Sequence, residues 1–203
     1  MEIYSTEEQQ VEAIKSFWKE HGNGIILGTL IGLAAIYGWR WYGQQQLAKQ
    51  EQSSAAYAAA LKKVDAGDLS AGDAFLKGDS AGQYQTLMAA RLAKAAADKG
   101  ELDKALGYLD QAQAHADTET LKGIFTLRKA RIQLAKGDLK GAKASLALVK
   151  DDAFKAESQE LLGDIAVKEG DKAAARTAYQ AALAGQAGSP ALQLKLESLD
   201  SKG

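Results

Sequence analysis

The stretch that decides the fold of this chain is Gly22 to Trp39, which reads GNGIILGTLIGLAAIYGW. It contains no charged residue, although charged residues make up 25% of the chain. At 1.5 Å per residue, a helix of this length spans about 27 Å, close to the roughly 30 Å of bilayer hydrocarbon. Since lipid offers no partners to backbone N–H and C=O groups, the stretch is predicted to cross a membrane as a helix.

Aromatic side chains border this stretch at both ends, and such rings settle at the headgroup level of a bilayer. They are Phe17, Trp18, Trp39, Trp41 and Tyr42. A buried helix of a soluble domain rarely holds so long an uncharged run. A cleaved signal peptide needs a basic start, roughly 7–15 apolar residues and a small-residue cleavage site. Because a mostly polar and acidic segment comes first, the sequence favours an uncleaved span over residues 22–42.

Three glycines inside the span share one helix face, because they are spaced by four residues. They are Gly24, Gly28 and Gly32. Small residues in this pattern allow the backbone of another helix to approach closely, which predicts a helix-docking face. Glycine is also common in membrane helices generally, so ordinary composition is an equal alternative.

Residues 1–21 are predicted to form a short tail before the span. Ser5 with Glu8 three residues later suggests a capping box, and Val11, Ile14 and Trp18 then fall on one helix face. The tail is therefore either an amphipathic helix at the membrane surface or a loosely ordered segment.

The orientation of the span is left open by its flanking charges. Lysine and arginine normally mark the cytoplasmic side of a membrane helix. Here Lys15 and Lys19 precede the span, whereas Arg40 and Lys49 follow it. The charge count is a tie, so the residues alone allow either orientation.

The rest of the 203-residue chain is long enough for one domain with its own core. It is rich in alanine and has one proline, which indicates an all-α fold. The net charge of −1 gives no basic field for nucleic acid. The absence of cysteine excludes disulfides and thiol chemistry.

A repeat begins after a helical linker and a degenerate first unit, predicted over residues 43–82. Three Gly-acid pairs, at Gly100, Gly137 and Gly170, each separate two stretches with helical periodicity. Their spacings of 37 and 33 residues bracket the period of about 34 that is typical of tetratricopeptide repeats. Gly67 lies 33 residues before Gly100 and marks the earlier unit. An alanine-rich helical bundle is the alternative to this α-solenoid.

Small residues recur at fixed distances from these glycines, where two helices of a repeat cross closely. Seven residues before stand Ala93, Ala130 and Gly163, and five after stand Ala105, Ala142 and Ala175. Ser189 and Pro190 are typical of a helix start, followed by a stripe of Leu192, Leu196 and Leu199. Residues 83–203 are therefore predicted to be repeats that end in a capping helix.

A repeat solenoid offers a concave surface lined by the first helix of each repeat. Aligning the glycines places one set of residues on that inner side. They are Lys94, Leu127, Arg131, Leu134, Asp164 and Val167. This mixture of apolar and charged groups predicts a protein-binding surface, and a plain solvated face is the alternative.

No chemical site is apparent in the sequence. His21 and His115 are the only histidines, and neither belongs to a metal-binding or catalytic motif. We therefore expect no enzyme activity and no cofactor or metal.

The order of these features resembles the YfgM family, the ancillary subunit of the bacterial Sec translocon. The resemblance runs nearly the full length and rests on five short matches. They are Met1-Glu2-Ile3-Tyr4, Val11-Glu12-Ala13, Gly38-Trp39-Arg40, Leu127-Arg128 with Ala130-Arg131, and Gly170-Asp171-Lys172 with Ala175-Arg176.

The resemblance implies an inner-membrane protein with a cytoplasmic tail and a periplasmic repeat domain. It implies association with SecYEG and with the membrane-anchored periplasmic chaperone PpiD, and transfer of unfolded secretory clients to periplasmic chaperones. Repeats that clamp a C-terminal carboxylate carry a fixed Lys/Asn set that is not found here. Two alternatives remain: a scaffold of another envelope complex, and a regulator of a stress-response factor acting through residues 1–20.

Overall fold

The computed structural model describes residues 7–80, 82–186 and 188–201, all of them in helices or in the turns between them. The predicted capping box at Ser5 lies outside these residues. The helices are α1 Glu7–Asp65, α2 Leu69–Leu76, α3 Gly82–Asp98, α4 Leu102–Ala114, α5 Glu119–Lys136, α6 Leu139–Ala147, α7 Lys155–Glu169, α8 Lys172–Gly185 and α9 Pro190–Ser201, with a short 3-10 turn at Asp152–Phe154. The predicted all-α fold is confirmed.

The chain divides into two compact units, residues 1–51 and residues 52–203. The first unit is the N-terminal part of α1, whose large apolar side chains are exposed. In the described part of the chain, α1 is the one helix long and apolar enough to cross a membrane. It shows no break at the boundaries predicted for the tail, the span and the linker.

The second unit is built from helix pairs that are separated by glycines in the left-handed region. The φ angles are +98° at Gly67, +76° at Gly100, +88° at Gly137 and +82° at Gly170. Side chains with a Cβ rarely adopt this conformation, so glycine ends the first helix of each pair. Each glycine predicted to be a repeat turn, including Gly67, therefore lies between two helices.

The aspartate that follows Gly67, Gly137 and Gly170 caps the next helix, whereas Glu101 after Gly100 makes no side-chain capping bond. The Asp138 carboxylate accepts a hydrogen bond from the Gly141 backbone N–H at 2.9 Å, and the Asp171 carboxylate accepts one from Ala174 at 2.9 Å. These bonds satisfy backbone donors that have no partner in the first turn of a helix. The Gly-acid pair is therefore a stop signal followed by a start signal.

Residues 69–76 are the main difference from the expected fold. Residues 69–82 hold Gly72, Gly78 and Gly82 and show little helical period, which predicts a looser segment. Instead, residues 69–76 form α2, and Gly72 is buried in it. A Cβ at Gly72 would come within 2.7 Å of the Leu92 Cδ2 atom on α3. Gly72 lies five residues after Gly67, the same register as the fully buried Ala105, Ala142 and Ala175. Gly72 is therefore a packing residue inside the helix and does not end it. Because glycine does not count as an apolar residue in the pattern, the helical period is not visible in the sequence.

The described residues form three buried apolar clusters along the second unit. The first includes Leu92, Leu109 and Phe125, the second includes Leu127 and Ile165, and the third joins α7, α8 and α9. Helix α5 contributes to two clusters, since residues two apart point to different sides of a helix.

The C-terminal helix closes the third cluster. Leu192 is 1% exposed, Leu199 is also buried, and Leu196 packs against the same cluster. The helix begins at Pro190, as the sequence predicts. Helix α9 thus covers the last apolar face of the solenoid.

Candidate functional site

The second unit has an open groove of about 660 Å³ between α3 and α5. Its lining consists of apolar residues and cations. They are Ala90, Arg91, Ala93, Lys94, Ala97, Leu109, Arg128, Arg131 and Ile132. This volume falls within the range of pockets that hold small ligands.

The groove exists because α5 packs on α4 and α6 and makes little contact with α3. Three alanines of α3, at positions 90, 93 and 97, face the gap and cannot fill it. The buried Leu109 side chain of α4 lies at its base, and the half-buried Ile132 borders it from α5. The floor is therefore apolar and only partly covered.

Four cations line the groove, and three of them form ion pairs. Arg91 pairs with Asp65 at 2.6 Å, Lys94 pairs with Asp98 at 2.8 Å, and Arg131 pairs with Glu157. The fourth cation is Arg128, whose exposed guanidinium has no ion pair or hydrogen bond with any described residue. It is the lining group best placed to bind an anion.

The structure brings two of the six predicted surface residues together in this groove: Lys94 and Arg131. Leu127 and Leu134 are instead core residues, 2% and 8% exposed, because their face of α5 packs against α6 and α7. Val167 is exposed at 45% on α7 but does not line the groove.

Asp164 is occupied by contacts between α7, α8 and α9. Its carboxylate accepts hydrogen bonds from the Tyr179 hydroxyl and the Lys195 ammonium, both at 2.7 Å. Lys195 also binds Glu160 at 2.7 Å. Burial and the bond to Asp164 raise the pKa of Tyr179. Burial opposes the charge of Lys195, but its bonds to Asp164 and Glu160 outweigh burial and raise its pKa. This cluster fastens the capping helix.

The sequence reasoning missed Arg91 and Arg128, although a signal for them exists. Both lie nine residues before the glycine that ends their helix. Lys94 and Arg131 lie six residues before the same two glycines. Two basic positions therefore recur at the same register in neighbouring repeats. Comparing the charged positions of the repeats would have predicted a basic groove wall on α3 and α5.

The predicted docking face of the membrane helix is exposed in the first unit. Cβ atoms built on Gly24, Gly28 and Gly32 meet no atom within 4 Å. Large side chains at these positions are thus compatible with the chain itself. In the described residues, no group of three or more metal-ligating side chains is close enough to hold an ion.

Comparisons with known proteins cover nearly the whole chain. Residues 15–201 match the model of a family described as a tetratricopeptide repeat-like domain. A protein of Escherichia coli K12, named ancillary SecYEG translocon subunit, is 33% identical over 98% of this chain and 99% of its own length. Proteins with the same name are 32% identical in Haemophilus influenzae, covering 87% and 88%, and 31% identical in Aggregatibacter actinomycetemcomitans, covering 95% and 97%. No solved structure matches the chain.

Proposed function

This chain belongs to the YfgM family of ancillary SecYEG translocon subunits, and from that membership we propose that it is a non-enzymatic accessory of the Sec translocon. The observation that carries the proposal is the extent of the similarity, which includes both the apolar N-terminal helix and the repeats. Similarity limited to the repeats would support a protein-binding role, but it would give no reason to expect a partner in the membrane.

Helix α1 anchors the protein in the inner membrane in this proposal. The tail lies in the cytoplasm and the repeats lie in the periplasm, where secretory chains emerge. The flanking charges are tied, so this orientation rests on the family alone. A reporter that is active only in the periplasm, fused to the C-terminus, is expected to be active. Activity of a cytoplasmic reporter at the same place, with a silent periplasmic one, would reverse the orientation.

In this proposal the repeats bind two kinds of protein: unfolded secretory clients and a PpiD-type membrane-anchored chaperone. The groove between α3 and α5 supports this role, because it combines uncovered apolar surface with cations along its walls. Exposed apolar surface of this kind is typical of interaction sites. Transfer of a client to the chaperone requires that both bind near the translocon, which the anchor provides.

Site-specific crosslinking in intact membranes tests the function. A photoactivatable residue at Ile132 in the groove is expected to capture secretory chains, whereas one at Lys140, exposed on α6, is not. Co-purification of the full-length protein is expected to recover SecY and the PpiD-type chaperone. Recovery of an envelope complex without SecY would contradict the proposal and favour a scaffold in that complex. Loss of function on deletion of residues 1–20, with SecY binding intact, would favour the regulator instead.

A further inference from the structure

The groove between α3 and α5 carries a positive charge that the neighbouring carboxylates of the described residues do not balance. Asp65, Asp98 and Glu157 neutralise one cation each, and these acids are not among the residues that line the groove. Arg128 is left over. Every charged side chain in the described lining is therefore basic, and a segment with lysine or arginine would be repelled there.

The chemistry of Arg128 favours a carboxylate partner. A guanidinium binds the two oxygens of a carboxylate with parallel N–H···O bonds, which are stronger than neutral hydrogen bonds. The side chain is exposed and has no ion-pair partner among the described residues, so a ligand would displace none of them. A ligand carboxylate at this place gains a charge-assisted bond at no cost to an existing ion pair.

The floor of the groove sets a second requirement. Ala90, Ala93 and Ala97 leave room above Leu109, and Ile132 forms an apolar wall beside that space. A branched apolar side chain would cover this surface and remove it from water. An extended segment with the carboxylate and the apolar side chain at neighbouring positions satisfies both requirements within this groove of about 660 Å³.

We propose that this groove binds an internal extended segment of another protein in which leucine-like residues flank an aspartate or glutamate. The apolar side chains lie over the alanines of α3, and the carboxylate pairs with Arg128. The inference rests on the proposed function of the repeats as protein-binding modules, and it adds the class of segment recognised. Charge complementarity selects this occupant over a basic or uncharged segment.

Fluorescence anisotropy with the full-length protein in detergent micelles tests the proposal. The probe is a labelled peptide with one aspartate between leucines and blocked termini, and its counterpart has asparagine in place of aspartate. The aspartate peptide is expected to bind about tenfold more tightly, the range for a hydrogen bond to a charged group. High salt is expected to reduce this preference.

Two matched variants assign the preference to one residue. Arg128→Gln is expected to bring the affinities for the two peptides to within about twofold of each other, because it removes the charge-assisted bond. Lys140→Gln removes the same charge from an exposed position on α6 outside the groove and is expected to keep the full preference. Ile132→Ala is expected to weaken binding of both peptides equally.

Equal binding of the two peptides by the unmodified protein, or no binding of either, would overturn the proposal. A preference for aspartate that survives Arg128→Gln would overturn it as well. Preferential binding to vesicles with anionic lipid, competing with the peptide, would identify a lipid occupant instead and also refute it. Crosslinking of the groove to secretory chains is independent of these results. The role at the translocon can therefore stand when the acidic preference fails, and the reverse also holds.

Discussion

Gly163 on α7 lies directly against the ring of Tyr179 on α8. A Cβ atom on Gly163 would come within 2.4 Å of the Cδ1 and Cε1 atoms of that ring, so only glycine fits. Both residues are buried, and the tyrosine hydroxyl donates a hydrogen bond to the Asp164 carboxylate on α7. The two helices on either side of Gly170 are thus joined by a close steric contact and a hydrogen bond that both involve Tyr179.

Replacing Gly163 by alanine is expected to destabilise the repeats by about 1–3 kcal/mol, because the added methyl group overpacks against the Tyr179 ring. The measurement is thermal unfolding of the purified full-length protein in detergent. Gly107→Ala is the control, since that glycine is exposed within α4 and its Cβ would meet nothing within 4 Å. The control is expected to gain roughly 0.5–1 kcal/mol from helix propensity. A similar change in both variants would contradict the close crossing.

Replacing Lys195 by methionine is expected to loosen α9. The change removes the ammonium that binds both Glu160 and Asp164, and leaves two half-buried carboxylates close together. Amide hydrogen exchange should become faster in α9, while α3 and α4 remain protected. Lys168→Met, at an exposed position on α7, serves as the control. Unchanged exchange in α9 would show that Leu192 and Leu199 hold the helix without the ion pairs.

Replacing Tyr108 by phenylalanine is expected to reduce the sensitivity of the fold to alkaline pH. Burial, followed by the bond to the Asp73 carboxylate at 2.8 Å, raises the pKa of Tyr108 to about 12. A raised pKa means that the folded state retains the proton. This stabilisation is complete below the unfolded value of about 10 and is lost as the pH rises towards 12.

At neutral pH the phenylalanine variant should be less stable by about 1–2 kcal/mol, because the hydrogen bond is absent. The gap between variant and unmodified protein should narrow between pH 9 and pH 11.5 in urea unfolding. Comparing the two proteins at each pH cancels the titration of the lysines. A gap that stays constant would refute the assigned role of the Tyr108 proton.

Replacing Gly28 by isoleucine tests the predicted helix-docking face. The new side chain meets no atom of this chain and is compatible with lipid, so insertion and repeat stability should be unchanged. It should keep a partner helix at a distance and reduce co-purification with SecY. Leu30→Ile is the control, because Leu30 lies off the glycine face. Undiminished recovery of SecY would assign recruitment to the repeats.

The architecture could be predicted from the sequence because the residues that end and begin its helices are adjacent in the chain. A glycine at positive φ and the acid that caps the next helix, as at Gly170 and Asp171, are read within two residues. Helix α2 was harder to predict, because Gly72 is a buried packing residue inside the helix, whereas glycines such as Gly170 end helices. In the structure, the contact with Leu92 and the absence of a positive φ distinguish Gly72 from the helix-ending glycines.

The position of the groove was only partly predictable, because register within a repeat does not fix which side of a helix is covered. Lys94 and Arg131, two of the six residues predicted for this surface, line the groove. Leu127 and Leu134 are seven residues apart, so they share one face, and that face is the one buried by α6 and α7. The groove itself arises from the separation of α3 and α5, a tertiary feature without a local sequence pattern.

The division of the core into three clusters along the chain also determines how the repeats would respond to pulling. Because each cluster is completed by adjacent helices, load applied at the C-terminus would fall first on the Leu192 and Leu199 contacts. The first cluster, around Leu92 and Phe125, shares no residue with that end and would hold while the last one opens. Unfolding under load would therefore proceed in separate steps, one cluster at a time.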